Sequence, residues 1–261
     1  MRLMWMGTAS LLFAEGDDVV AFDPFPGIPP DSLCGQKRTF PDAALYGKAG
    51  NVFVTHGHFD HILYIPALFG HTDAVVHATA TPYETLKNAG FPAERLRTIA
   101  PGWEGEIGPF RLRALPSRHC RFDAPIIVRT VLRRQLWAYL PHMLRLLKLN
   151  RRYPENGETL FYELSDGRVR VQILGSLGLD AKTDYPTGAD WLILPFQGRS
   201  DLSASALPIV ERLAPKAVLL DHYDDSFPPM SAQIPTESFA ALLEARGIPC
   251  RALEAHKTIT L

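Results

Sequence analysis

The chain has 261 residues, the upper range of one domain, so a single domain over residues 1–261 is expected, with a core that needs no disulfide staples. Hydrophobic residues make up 46% and charged residues 21%, which excludes extended disorder. Lys plus Arg is 27 and Asp plus Glu 28, a formal charge of -1, which excludes a chain basic throughout and gives no expectation of a specific nucleic-acid partner.

At the N-terminus, Arg2 and an apolar stretch up to Ala14 loosely mimic a signal peptide. Gly7, Thr8 and Ser10 break the stretch and Val19-Val20-Ala21-Phe22 follows at once, so two short strands and a turn explain it better. Further along the chain, β-rich runs fall at 11–13, 19–22, 51–55, 74–78, 110–115, 159–164, 169–174, 191–194 and 217–220. Helical periodicity falls near 61–69, 81–88, 204–213 and 237–246, with Thr81 before Glu84 and Thr236 as helix starts. Pro and Gly punctuate the joins, most densely over 23–31 and 227–235. This order predicts an α/β chain with sheets inside and helices outside. Cys34, Cys120 and Cys250 are odd in number and far apart, as reduced thiols of a cytoplasmic protein would be. No run of about 18 apolar residues occurs, so no bilayer-spanning helix is expected.

One segment differs in charge. Between Asp123 and Glu155 there is no acidic residue, while Arg129, Arg133, Arg134, Arg145, Lys148, Arg151 and Arg152 are all cationic. Val131, Leu132, Leu136, Trp137, Leu140, Met143, Leu144 and Leu147 recur there at helical spacing. Residues 124–155 therefore read as a basic amphipathic helical insertion between two strands, one or two helices with a break at Pro141. It has three readings: a plain helical cover; a lid whose arginines hold an anionic substrate; or, through residues 129–152, a contact with a membrane surface or a second copy.

The chemistry lies in Thr55-His56-Gly57-His58-Phe59-Asp60-His61, on a strand-to-helix loop where α/β proteins place function. Three imidazoles and a carboxylate so close together form a donor set for zinc and similar divalent ions. This H-x-H-x-D-H run resembles the metallo-β-lactamase superfamily, and Asp23-Pro24-Phe25 after an early strand is similar to its UlaG-like branch. The resemblance covers nearly the whole chain and implies a four-layer αββα sandwich. It implies that His56, His58 and His119 hold a first metal ion and that Asp60, His61 and His222 hold a second. Zinc is the first expectation for both sites, with Mn, Fe or Ni as alternatives.

The sequence departs from the family in one place. Gly175-Ser176 stands where most members carry Gly-Asp, so the carboxylate that bridges two metals is missing. A β-lactamase subclass with Ser there still binds two zincs; alternatively the second site is weakened and one ion binds. Asp180, four residues on, is a remote substitute. The resemblance implies a metal-bound hydroxide acting on a small ester, lactone or amide, with Asp60 orienting the nucleophile and carrying a proton. Asp23 is read as accepting the spare N–H of a ligating His or as capping a turn, and Ser176 as lining the pocket. Tyr223 is expected to point away from substrate and Cys120 to be a buried thiol on the face opposite His119. His71, His77, His142 and His256 read as surface or core histidines. The alternatives are a phosphodiesterase or nuclease-like hydrolase and a catalytically silent metal-binding protein.

Overall fold

In the computed structural model, residues 1–25, 43–227 and 231–261 are described; Cys34 and parts of both Pro/Gly-dense stretches lie outside them. The chain begins with an antiparallel meander of β1 (Arg2–Gly7), β2 (Ser10–Glu15) and β3 (Asp18–Phe22). Next come β4 (Asn51–Phe53), β5 (Val75–Ala78) and β6 (Leu96–Thr98), added in parallel to β3. Parallel neighbours need crossovers. These are α1 (Phe59–Ile62) and α2 (Ile65–Phe69) after β4, and α3 (Ala80–Asn88) after β5.

The second half repeats the plan. β7 (Glu104–Ile107), β8 (Phe110–Pro116), β9 (Leu160–Ser165) and β10 (Arg170–Leu174) are antiparallel. Between β8 and β9 come α4 (Ala124–Leu132), α5 (Arg134–Ala138) and α6 (Leu140–Arg152). β11 (Trp191–Pro195), α7 (Leu202–Leu213), β12 (Ala217–Asp221), α8 (Glu237–Glu244) and β13 (Cys250–Ala252) then extend the sheet in parallel. β14 (Thr258–Thr260) returns to pair with β1. The spatial orders are β14-β1-β2-β3-β4-β5-β6 and β13-β12-β11-β10-β9-β8-β7.

Period-two alternation sorts the side chains into three apolar layers. Leu11, Phe13, Val20 and Phe22 meet Tyr162, Ile173, Ile193 and Leu219 between the two sheets. Their neighbours Leu12 and Ala21 face outward with Val52 and Val76, against Ile62, Phe69 and Leu86 of the first helical layer. Leu192, Leu194, Val218 and Leu220 face outward on the other sheet against Ile209, Leu213, Phe239 and Leu243. The result is the expected αββα order.

Local details correct the sequence reading. The helix expected near 61–69 is two short ones, α1 and α2. α3 starts after Thr79, which makes no side-chain capping bond, and Thr81 instead donates its backbone N–H and its hydroxyl to Glu158, each at 2.8 Å. The basic segment forms three helices. Pro141 does not break a helix but opens α6, where the missing N–H would have no partner anyway.

Candidate metal centre

The functional loops gather at one end of the sandwich, at the C-terminal ends of strands. Asp23 follows β3, residues 55–61 follow β4, His119 follows β8, Ser176 follows β10, and His222 follows β12. Two triads of donors form there. Atoms of His56, His58 and His119 lie within 4.8 Å of one another, as do atoms of Asp60, His61 and His222. Each triad takes two residues from the loop and α1 that follow β4 and one from a loop of the second sheet. His56 Nε2 and His58 Nδ1 are 3.2 Å apart, close to the edge of a tetrahedron with metal–nitrogen bonds of about 2.0–2.1 Å. Asp60 Oδ2 lies 3.6 Å from His222 Nε2 and 3.9 Å from His61 Nε2. Donor chemistry and spacing therefore fit one divalent ion per triad.

Hydrogen bonds behind the imidazoles set their tautomers. Asp23, buried, accepts the Thr55 backbone N–H at 2.8 Å through Oδ1 and the Thr55 hydroxyl at 2.6 Å through Oδ2. His61 Nδ1 is 2.8 Å from Asp23 Oδ2, and His56 Nδ1 is 3.1 Å from Thr55 Oγ1. The Thr55 proton already points at Asp23, so His56 donates from Nδ1, as does His61 to the carboxylate. Both Nε2 lone pairs are left facing the triads. Asp23 thus contacts a triad histidine as well as the Thr55 backbone. Its φ of 43° and the 54° of His222 are left-handed, a region that costs a non-glycine residue about 1–2 kcal/mol.

Charge is arranged to suit cations. Burial pushes His56 and His119 below the usual histidine range, helped by the other imidazoles. Burial likewise lowers His58 to about 4, against the opposing pull of Asp60. Neutral imidazole is the form that binds metal. Burial works against ionisation of Asp60, yet His61 and His222 outweigh it and hold the carboxyl below its ordinary value. His61 is the exception among the histidines: burial opposes its charge, but Asp23 and Asp60 prevail and raise it.

Ser176 has no carboxylate with which to bridge the triads. Its Oγ accepts the Cys120 backbone N–H at 2.9 Å, and it lines the cavity. Asp180 offers no substitute, because it pairs with Arg118 at 2.8 Å away from the site. Cys120 is half-buried in the cavity wall rather than fully buried. β8 ends at Pro116, so strand alternation no longer governs residues 119 and 120. Tyr223 points away, donating to Leu253 O at 2.6 Å and stacking on Trp5. His71 and His256 are exposed, and His142 lies in α6. His77 is buried, stacked on Phe53, with Nε2 donating to Asn51 Oδ1 at 2.9 Å.

Four contributors were not foreseen. Thr55 is the clasp just described. Gly175 must be glycine, because a Cβ there would overlap the Thr55 side chain across the two sheets. Gln197 places its amide nitrogen 2.7 Å from His222 Nε2. Asp221 has both carboxylate oxygens buried without a hydrogen-bond partner among the described residues, and burial raises it well above the usual carboxyl range. Gly57, between the first two histidines, is constrained in the same way as Gly175: a Cβ there would overlap the carbonyl of Pro154.

The triads open into a cavity of about 640 Å³. Ile126 of α4 and Met143 and Leu146 of α6 form an apolar wall, and Arg129, Arg133 and Arg199 also line it. The helical segment is therefore part of the pocket. Residues 19–223 match the family described as the beta-lactamase superfamily domain. The chain belongs to the metallo-β-lactamase superfamily. No curated protein matches it. Among solved structures, this superfamily member resembles a metallo hydrolase from the archaeon Ignicoccus hospitalis, with 20% identity, TM-score 0.69, and 100% and 97% of the two chains covered. It also resembles Zn-bound PqqB from Methylobacterium extorquens, with 13% identity, TM-score 0.60 and 100% of both chains covered. A third likeness is to CmlA, a diiron β-hydroxylase from Streptomyces venezuelae, at 13% identity and TM-score 0.62; all of this chain corresponds to 54% of that one. These likenesses establish the shared fold.

Proposed function

We propose that the protein is a metal-dependent hydrolase of small ester, lactone or amide substrates that carry an anionic group. The observation that carries this reading is the convergence of six donors from three separate segments of the chain into two triads that line one cavity. His56, His58 and His119 would hold one divalent ion, and Asp60, His61 and His222 a second. Such an ion supplies Lewis acidity, lowering the pKa of water and polarising a carbonyl. The Asp60 carboxylate, held ionised, accepts a proton from the attacking water and orients it. Asp23 and Thr55 fix the imidazoles, and the apolar wall excludes bulk water. Arg129 and Arg133 line the cavity, and this supports a carboxylate or phosphate on the substrate as their partner.

Zinc is the first choice of ion, supported by the all-nitrogen triad, with Mn, Fe and Ni as alternatives. Within the superfamily we assign the chain to the UlaG-like branch, on Asp23-Pro24-Phe25. We assign it to a reducing cytoplasm, consistent with free Cys120 and Cys250. The arginines also favour a second reading, a phosphodiesterase.

The test is metal per chain by elemental analysis on untagged protein, with hydrolysis of p-nitrophenyl acetate and bis-p-nitrophenyl phosphate followed alongside. Near two ions per chain, with ester cleavage lost in His58→Ala, is expected. One ion would confine the chemistry to a single triad. Cleavage of the phosphodiester alone would move the assignment to the second reading. No metal after incubation with zinc or manganese would refute the hydrolase.

A further inference from the structure

Nine of the ten exposed large hydrophobic residues described in the structure fall between Phe122 and Leu147, so they form one patch rather than scattered surface contacts. The patch has a definite geometry. On α4, Ile126, Arg129 and Thr130 line the cavity, as does Arg133 just after it, while Ile127, Val128, Val131 and Leu132 are absent from that lining, with Leu132 77% exposed. On α6, Leu140, Leu144 and Leu147 form an exposed stripe at i, i+4, i+7. Trp137 joins the two helices, 62% exposed, its indole N–H donating to Val131 O at 3.0 Å. Neither α4 nor α6 has a fully buried residue.

Charge decides what covers this face. Arg145, Lys148 and Arg152 run beside the leucine stripe of α6, Arg134 lies at the start of α5, and residues 124–154 contain no acid. An isologous contact with a second copy would set this cationic face against itself. An anionic bilayer satisfies both halves at once. Leucines and the indole enter the acyl boundary while arginine and lysine stems reach up to headgroup phosphates. Leu147 belongs both to the exposed stripe and to the cavity wall, so the face borders the cavity. We propose that the outer face of α4–α6 docks the protein reversibly on an anionic lipid surface.

The test is flotation of the whole protein with phosphatidylcholine vesicles, with and without a third phosphatidylglycerol, at low and high salt. Anionic vesicles should bind at least about tenfold more tightly than neutral ones, with high salt weakening the binding. Trp137 emission should shift to the blue on binding. Leu132→Glu with Leu144→Glu, and separately Arg134→Glu with Lys148→Glu, should each cut partitioning about tenfold or more. These four side chains lie outside the cavity lining, so metal content and thermal midpoint should stay unchanged; those two readouts separate docking from the hydrolase assignment. Absence of flotation on anionic vesicles at low salt would overturn the proposal. So would a dimer in solution that Leu132→Glu with Leu144→Glu dissociates, since the face would then belong to a second copy.

Discussion

Asp23 shows how much of the site rests on a residue that would touch no metal. Its two oxygens take the Thr55 N–H, the Thr55 hydroxyl and His61 Nδ1. Asp23→Asn turns an acceptor into a donor facing donors. Zinc affinity, measured by competition with a chromophoric chelator, should fall about 10- to 100-fold while the triad residues stay intact. Gly175→Ala should act through packing instead, because its methyl overlaps Thr55; a loss of about 1–3 kcal/mol in urea unfolding is expected. The contrast marks what the sequence could disclose about the site. His56, His58, Asp60 and His61 lie together in the chain, so their chemistry is visible as a pattern. His119 and His222 were found only through family resemblance. Thr55 gains its role from Asp23, Gln197 from His222, and Gly175 from Thr55 across the two sheets, contacts that no spacing along the chain encodes.

Among the elements, β5 carries a titratable group away from the metal centre. His77 lies between Phe53 and Trp103, and burial lowers it to about 4. The unfolded chain therefore takes up the proton first as pH falls. Stability is full above the ordinary histidine value near 6.5, declines as pH drops towards about 4, and levels off below that. Between pH 7 and pH 5 this group should cost about 1–2 kcal/mol. His77→Gln should flatten that part of the profile relative to the parent in urea melts at matched pH. Legibility at this scale follows burial. β11 and β12, covered on both faces, are continuous apolar runs and read clearly. β6, β7, β13 and β14 are the sheet edges, three or four residues long and partly exposed, and carry no comparable signal. The basic segment announced its helices, but its division into three depends on Arg133 and Tyr139 leaving helical geometry, which composition does not reveal.

Across the whole molecule, the two donor triads straddle the seam between the sheets. His119 and His222 come from the second sheet, and every other donor comes from the first. Leu160 N to Thr55 O at 2.8 Å, Tyr162 Oη to Val54 O at 2.7 Å and His222 N to Thr8 O at 3.0 Å span the same seam. Metal should therefore stabilise the fold by linkage, about 4 kcal/mol at a thousandfold excess over Kd, or roughly 10 °C in thermal midpoint. Chelation should reverse it, and hydrogen exchange should quicken first at the C-terminal ends of β8 and β12. Ser176→Asp should raise the affinity for the second ion by adding a carboxylate at the cavity floor, as read by metal titration.

The left-handed backbone at Asp23 and His222 sets stability and function in opposition. Glycine at either place would relax the chain, and at either place it would remove a group the site needs. Selection for robustness alone would therefore erode these two positions early, whereas a lineage that keeps both is one in which the centre is still in use.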